Sequence, residues 1–129
     1  MIVLDTHIWI WWINGCESEL GISRFQQIQD ADEVCVSAIS CFEVAWLQHH
    51  NRISLSCPID AWFEKALSDS GVKLLPLTPE IATKAVSLPD HHSDPQDRII
   101  IATALFNGAD LMSSDRKFHL YKELRGRIL

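Results

Sequence analysis

The chain opens with the run Met1-Ile2-Val3-Leu4-Asp5-Thr6, in which four apolar residues end at a carboxylate and a hydroxyl. A short apolar run of this kind predicts a buried strand, and Asp or Thr directly after it is typical of the residue that caps a helix. We therefore predict a strand over residues 1–4 and a helix from about residue 6 to residue 13, ended by Asn14-Gly15.

The same order of strand and helix repeats along the chain. Further strands are predicted at residues 33–36, 72–77 and 109–113, with a last short one at Ile128-Leu129. Helices are predicted between them, at residues 18–29, from Ser37 or Ser40 onward, from Pro58 to Gly71, from Thr78 onward, and at residues 97–107. Such alternation predicts an α/β fold with right-handed crossovers. We expect one domain over residues 1–129, with a central parallel sheet of four or five strands.

The bulk composition is that of a globular protein. With 129 residues, 47% hydrophobic content and a mean hydropathy of +0.04, the chain is long enough for one domain with a sizeable core. No apolar stretch approaches the roughly 18 residues that span a bilayer, and no basic region of a signal peptide precedes Asp5. We expect a cytoplasmic protein without membrane contact. The four cysteines lack the spacing of a zinc or redox site, so we expect structural thiols.

Acidic residues follow the predicted strands or open the predicted helices. In open α/β sheets the ligand crevice lies outside the carboxyl ends of the strands, so these side chains are expected in one pocket. Carboxylates that crowd together repel one another unless they are protonated or bound to a metal, and oxygen ligands favour magnesium or manganese over zinc. The residues concerned are Asp5, Glu43, Asp94, Asp97 and Asp115.

Each of these acids also has a structural interpretation when it is considered alone. Asp5, Asp97 and Asp115 are suited to helix starts, and Asp94-Pro95 is suited to a turn. Ser40-x-x-Glu43 fits the capping-box pattern, in which the glutamate binds the backbone of its own helix. Their shared edge of the predicted sheet favours a metal site over these separate interpretations.

The net charge of −6 would ordinarily argue against a nucleic-acid substrate. Most of this charge comes from the five acids of the predicted pocket, because the other acidic residues nearly balance the 11 basic ones. Five basic residues crowd the segment after Asp115, and the pattern fits a solvated helix face and a phosphate-contacting patch equally well. They are Arg116, Lys117, Lys122, Arg125 and Arg127. Net charge therefore does not exclude a nucleic-acid substrate.

A pocket of acids that holds a divalent metal supports water activation and in-line displacement at phosphorus, without a nucleophilic side chain. No P-loop, G-x-G-x-x-G or Ser-His-Asp order offers another mechanism. A non-catalytic phospho-receiver-like signalling domain is the main alternative, but it would need paired acids after the first strand and a lysine after the last. This chain has Asp5-Thr6 and Ser113-Ser114-Asp115 there. His7 also disfavours a phosphatase with a D-x-D start.

Four segments, taken in order, resemble PIN-domain ribonucleases, and closely the VapC-like toxins of bacterial toxin–antitoxin pairs. They run from the first residues nearly to the last, and the ordered set is more specific than any one segment. The segments are Ile2-Val3-Leu4-Asp5-Thr6-His7, Val36-Ser37-Ala38-Ile39-Ser40-Cys41-Phe42-Glu43-Val44-Ala45, His92-Ser93-Asp94-Pro95-Gln96-Asp97-Arg98-Ile99-Ile100-Ile101-Ala102-Thr103-Ala104 and Leu111-Met112-Ser113-Ser114-Asp115.

The resemblance implies a PIN-like α/β/α sandwich and a metal-dependent endoribonuclease that acts as a toxin. It implies Mg²⁺ or Mn²⁺ as the cofactor, and RNA, a cognate antitoxin and a second copy of the chain in a homodimer as partners. Matched position by position, the resemblance implies that four acids are both catalytic and metal-binding. It implies that Asp94 is not a direct ligand. The four are Asp5, Glu43, Asp97 and Asp115.

Two positions depart from the family pattern. Gln96 stands where an aromatic residue is frequent, and Leu47 stands where a lysine is frequent. The second departure removes a phosphate contact that the family pattern implies. For His91-His92 we expect a surface or hydrogen-bonding role, because oxygen-rich magnesium sites rarely use imidazole.

Tryptophans are concentrated on three predicted helices. Part of this apolar set is expected in the core, and part is expected to form a surface on which a partner docks. The resemblance implies that helices of this kind border the groove for the antitoxin's C-terminal segment. The residues predicted to form the docking surface are Trp9, Trp12, Trp46 and Trp62.

Overall fold

A computed structural model describes residues 1–129 and contains one parallel sheet. Its strands are β1 (Ile2–Leu4), β2 (Val34–Ser37), β3 (Lys73–Leu75) and β4 (Asp110–Met112), in the spatial order β3-β2-β1-β4. The predicted parallel sheet is confirmed with four strands. The fifth strand expected at the C-terminus is only an isolated parallel bridge between Leu111 and Ile128.

Helices connect the strands, and most of them begin where the sequence predicts. Asp5, Ser37, Thr78 and Asp94 each cap the helix that follows with a side-chain oxygen. The α-helices are α1 (Thr6–Asn14), α2 (Glu17–Leu20), α3 (Ile22–Asp30), α4 (Ala38–His49), α5 (Ile59–Glu64), α6 (Pro79–Ser87) and α7 (Pro95–Phe106). A π-helical turn (Lys65–Asp69) continues α5, and two 3-10 helices (Arg116–Leu120 and Lys122–Leu124) follow β4.

The prediction of one helix over residues 18–29 is wrong, because Gly21 separates α2 from α3. Its backbone has φ 87° and ψ 150°, a conformation that side-chain-bearing residues rarely adopt. The basic segment after Asp115 likewise forms short 3-10 helices instead of one solvated α-helix.

The sheet has a hydrophobic core on each face, as the predicted α/β/α sandwich requires. Side chains of β1 alternate between the two: Val3 packs with α6, α7 and the C-terminal segment, whereas Ile2 and Leu4 pack with α1 and α5. All three are buried, as expected for β1 as one of the two inner strands of the sheet. None of the helices combines the length and hydropathy needed to cross a bilayer. All four cysteines are free thiols.

Trp9 and Trp62 belong to the core, so the prediction that they form a docking surface is wrong. Both are fully buried, with ring centroids 5.1 Å apart. Their indole N–H groups donate to the Ala66 carbonyl at 3.1 Å and to Oδ1 of Asn14 at 2.8 Å. Trp12 is half-buried, and Trp46 on α4 is 42% exposed.

The two kinds of tryptophan should respond differently to truncation. Trp62→Ala leaves a cavity in the core and should lower the free energy of unfolding by about 3–5 kcal/mol. Trp46→Ala should change it by about 0.5 kcal/mol or less, because surface substitutions remove little packing. Urea unfolding of both variants in the presence of a chelator measures the difference. Equal losses would contradict the assignment of these residues to core and surface.

Candidate active site

Asp5 directly follows strand β1 and is only 8% exposed. One carboxylate oxygen accepts from the backbone N–H of Ile8 at 2.9 Å, which caps α1. The other accepts from the hydroxyl of Ser113, which follows the neighbouring strand β4. Burial raises the pKa of Asp5 above its usual value although both hydrogen bonds oppose the shift. The carboxyl ends of β1 and β4 are thus joined through a buried acid.

Glu43 lies on α4 and faces Asp5 across the start of α1. Because Ser37 caps α4 by accepting from the Ile39 N–H at 3.3 Å, the alternative of a Ser40-x-x-Glu43 capping box is wrong. The hydroxyl of Thr6 instead donates to Oε1 of Glu43 at 2.8 Å. Burial raises the pKa of Glu43, and the negative charges of Asp94 and Asp5 add to this effect.

Asp94 and Asp97 have different positions at the start of α7. Asp94 lies before the helix and caps it, since its Oδ1 accepts from the Gln96 N–H at 2.8 Å. Pro95 is the first helical residue, as expected for a residue without an N–H to satisfy. Asp97 is half-buried in the first turn, and burial raises its pKa to about 6, with Asp94, Glu43 and Asp115 contributing further.

Asp115 follows β4 and is held by two hydrogen bonds. Its Oδ1 accepts from the Lys117 N–H at 2.9 Å, and its Oδ2 lies 2.9 Å from Nε2 of His92. Burial acts to raise the pKa of Asp115, but the His92 and Lys117 interactions outweigh it and lower the pKa. Ligand atoms of His92, Asp97 and Asp115 all lie within 4.8 Å of one another, a separation that one ion can bridge.

Electrostatic repulsion connects the four predicted acids. Asp97 is repelled by Glu43 and Asp115, Glu43 by Asp5, and Asp5 by Asp115. The neighbouring side chains that oppose this repulsion are those of His7, His92 and Lys117. Four neighbouring carboxylates, three of them with a raised pKa, and few nearby cations fit a hard divalent ion such as Mg²⁺ or Mn²⁺. The assignment of the four acids as ligands stays a prediction.

The partners of three supporting side chains were not predicted from the sequence. Thr6 orients Glu43, Ser113 orients Asp5, and His92 contacts Asp115. For the two hydroxyls, the only available signal was their position directly after predicted strands β1 and β4. The expected surface or hydrogen-bonding role of His91-His92 is confirmed, because His91 is exposed and the buried His92 lies within hydrogen-bond distance of Asp115 and Tyr121.

The two departures from the family pattern lie together beside the acids. Leu47 and Gln96 line a shallow cavity of about 330 Å³, together with Glu43, Trp46 and Asp94. Since neither departure adds a positive charge, this side of the site stays acidic and apolar.

The raised pKa of Asp97 predicts a pH-dependent gain of stability when its charge is removed. In the metal-free protein, the ionised carboxylate is unfavourable in the folded state, so its destabilising effect is absent below pH 3.8 and complete above about pH 6. After allowance for solvent screening, Asp97→Asn should raise the free energy of unfolding by ~1 kcal/mol at pH 7.5 and by almost nothing at pH 4. Urea unfolding with chelator measures this.

The exposed Asp69→Asn serves as the control for that measurement, and it should show no gain at either pH. A pH-independent effect of Asp97→Asn would mean that burial and neighbouring acids do not destabilise this carboxylate.

Comparison with known proteins identifies the family of the chain. The PIN-domain family model matches residues 2–124. Ribonuclease VapC22 of Mycobacterium tuberculosis is 37% identical over 125 residues, which cover 96% of this chain and 94% of the relative.

Solved structures share the fold. A toxin–antitoxin complex from Klebsiella pneumoniae gives a TM-score of 0.66 at 17% identity, covering 100% of this chain and 96% of that one. VapBC2 of Rickettsia felis, bound to a DNA fragment from its promoter, gives 0.67 at 17% identity, with 100% and 98% covered. The chain belongs to the PIN-domain family, among relatives of the VapC ribonucleases.

Proposed function

We propose that this protein is a metal-dependent endoribonuclease that acts as the toxin of a toxin–antitoxin pair, with residues 1–129 forming its PIN domain. The observation that carries the proposal is the group of mutually repelling acids around Asp97, whose pKa is raised to about 6. Acids in this state bind a divalent cation favourably, because the cation removes their repulsion. Membership of the PIN family and the similarity to Ribonuclease VapC22 support RNA as the substrate.

The residues that would hold Mg²⁺ or Mn²⁺ are Asp5, Glu43, Asp97 and Asp115. When bound, the metal supplies activation of a water molecule and neutralisation of charge on the phosphodiester. Thr6 and Ser113 keep the Glu43 and Asp5 carboxylates in fixed orientations.

Asp94 has a supporting role in this proposal. Its carboxylate caps α7, and α7 in turn carries Asp97 in its first turn. Of the five basic side chains that follow Asp115, four are exposed and that of Arg127 is partly buried. The exposed ones supply positive charge for the RNA backbone at the edge of an otherwise acidic site. Hydrolysis by an activated water leaves a 5′-phosphate and a 3′-hydroxyl.

The phospho-receiver alternative gains no support from the site. The residue after β4 is Ser113, which donates to Asp5, and the place of the expected lysine is thus taken by a hydroxyl.

The predicted homodimer stays a prediction.

Asp97→Asn and Asp94→Asn form a matched pair, because the same chemical change is made three residues apart. Asp97→Asn should lower the rate of RNA cleavage by roughly 10³-fold or more, since metal activation of water supplies several kcal/mol of barrier reduction. Asp94→Asn should retain most of the activity. Cleavage of total RNA with Mg²⁺, and again with chelator, measures both rates and the metal requirement.

Two outcomes contradict the proposal. Equal inactivity of folded Asp94→Asn and Asp97→Asn would reverse the ranking of these acids. Products with a 2′,3′-cyclic phosphate, formed also in chelator, would indicate attack by the RNA 2′-hydroxyl without metal.

Regulation by an antitoxin is the second part of the proposed function. The Klebsiella pneumoniae neighbour is a toxin–antitoxin complex, and an unregulated ribonuclease would damage its own cell. With Trp9 and Trp62 in the core and Trp12 half-buried, Trp46 on α4 is the exposed member of the predicted docking surface. Trp46 is 42% exposed, and Phe42 on the same helix is 57% exposed. This surface adjoins Glu43, so a basic side chain of the antitoxin can reach the acids and compete with the metal.

Trp46→Ala should weaken inhibition by the cognate antitoxin. Loss of an anchor residue costs ~2 kcal/mol, which raises the antitoxin concentration for half-inhibition roughly 30-fold. Phe25→Ala on α3 is the matched control, because Phe25 is exposed to nearly the same extent, 41%. If the two variants need the same antitoxin concentration as the unaltered enzyme, the docking surface does not include α4.

A further inference from the structure

His92 lies between Asp115 and the aromatic side chain of Tyr121, and both ring nitrogens are engaged. Nε2 is 2.9 Å from Oδ2 of Asp115, and Nδ1 is 2.9 Å from the hydroxyl of Tyr121. An ionised carboxylate can only accept, so Nε2 carries the hydrogen and donates it to Asp115. In the neutral ring Nδ1 is then the acceptor, and the Tyr121 hydroxyl donates to it. His92 therefore has no free lone pair for a metal ion.

The ring of His92 is held in place by packing as well as by hydrogen bonds. Tyr121 stacks on it with centroids 5.6 Å apart and an interplanar angle of 14°. Phe118 contacts it edge-on at 4.9 Å. The ring is 5% exposed, so few other orientations are open to it.

The backbone of His92 is fixed by Arg98, the residue that follows Asp97 on α7. Its guanidinium donates to the carbonyls of Leu88 at 2.6 Å, Pro89 at 3.0 Å and His92 at 3.2 Å. Arg98 thus holds the loop before α7 against the helix.

We propose that His92 is a positioning residue, which fixes the carboxylate of Asp115 in the orientation that the metal requires. This inference rests on the proposed function, in which Asp115 is a ligand. Asp115 needs such support because its side chain is 37% exposed and lies in the turn after β4. With His92 on one oxygen and the Lys117 N–H on the other, each oxygen keeps a lone pair for the ion. Partners of this kind commonly change metal affinity by roughly 10–100-fold when they are removed.

Two amide substitutions of His92 test the proposal. The amide of His92→Gln reaches the position of Nε2 and can still donate to Asp115, whereas that of His92→Asn reaches only the position of Nδ1. Calorimetric titration of Mn²⁺ should give an affinity within about 3-fold of the unaltered protein for His92→Gln and a roughly 10–100-fold weaker affinity for His92→Asn. The exposed neighbour His91→Asn should bind Mn²⁺ like the unaltered protein.

A double-mutant cycle separates positioning from a general effect on folding. In the Asp115→Asn background, His92→Asn should weaken Mn²⁺ binding no further, because the group that it positions is already gone. Unfolding curves of the metal-free variants establish that each is folded at the temperature of titration.

The results that overturn the proposal differ from those that overturn the proposed function. Unaltered Mn²⁺ affinity of His92→Asn, equal weakening by the Gln and Asn variants, or a loss that persists in the Asp115→Asn background would each exclude positioning through Asp115. No Mn²⁺ binding by the unaltered protein would refute the metal site itself. Unchanged affinity of Asp115→Asn alone would remove Asp115 from the ligands, and this inference with it.

Discussion

The burial of the Asp5 carboxylate is the constraint on which the site depends. Asp5 lies at the end of the inner strand β1 and is buried, and an unpaired buried charge is strongly unfavourable. Two hydrogen bonds offset part of this: one from the first turn of α1 and one from Ser113 after β4. The Ile8 donor is local, because Ile8 lies in the helix that Asp5 caps, whereas the Ser113 donor is available only because β1 and β4 are parallel neighbours in register, with Leu4 beside Met112. The sheet order therefore fixes where the acid can lie.

The remaining acids increase the electrostatic repulsion in the site. Hydrogen bonds offset this repulsion for some of these acids more than for others. Glu43 accepts from Thr6, and Asp115 accepts from His92 and the Lys117 N–H. For Asp97, burial and the neighbouring negative charges dominate, and its pKa rises to about 6. A protein without function would gain stability by replacing such a residue with an uncharged one. The retained repulsion is a store of free energy that a divalent cation releases when it binds.

Much of the fold could be predicted because its determinants are local. Apolar runs gave the strands, and cap residues such as Asp5 and Thr78 gave helix starts within a few residues. The predictions were wrong where tertiary contacts determine the structure. The break at Gly21 depends on a positive φ, and the burial of Trp9 and Trp62 depends on which face of α1 and α5 meets the sheet.

The residues of the site divide in the same way, into those predicted from local sequence and those that depend on tertiary contacts. Acids at strand ends and helix starts can be predicted from the sequence, because parallel strands bring those positions to one edge of the sheet. The contact of His92 with Asp115 spans 23 residues and has no local signal. Only the packing of the 3-10 segment, which carries Phe118 against the ring and ends beside Tyr121, brings the two together.

Arg98 illustrates how a residue in a motif can act without touching the reaction. Its position one residue after Asp97 suggests a partner for phosphate or for the acids. Yet its guanidinium is almost fully occupied by backbone carbonyls of the last turn of α6 and of the loop that follows it, from Ala85 to His92. Its charge is thereby kept away from the carboxylates, where it would compete with a metal ion for the same oxygens. The same contacts fix the loop that delivers His92. One arginine thus preserves the negative potential of the site and its geometry at the same time.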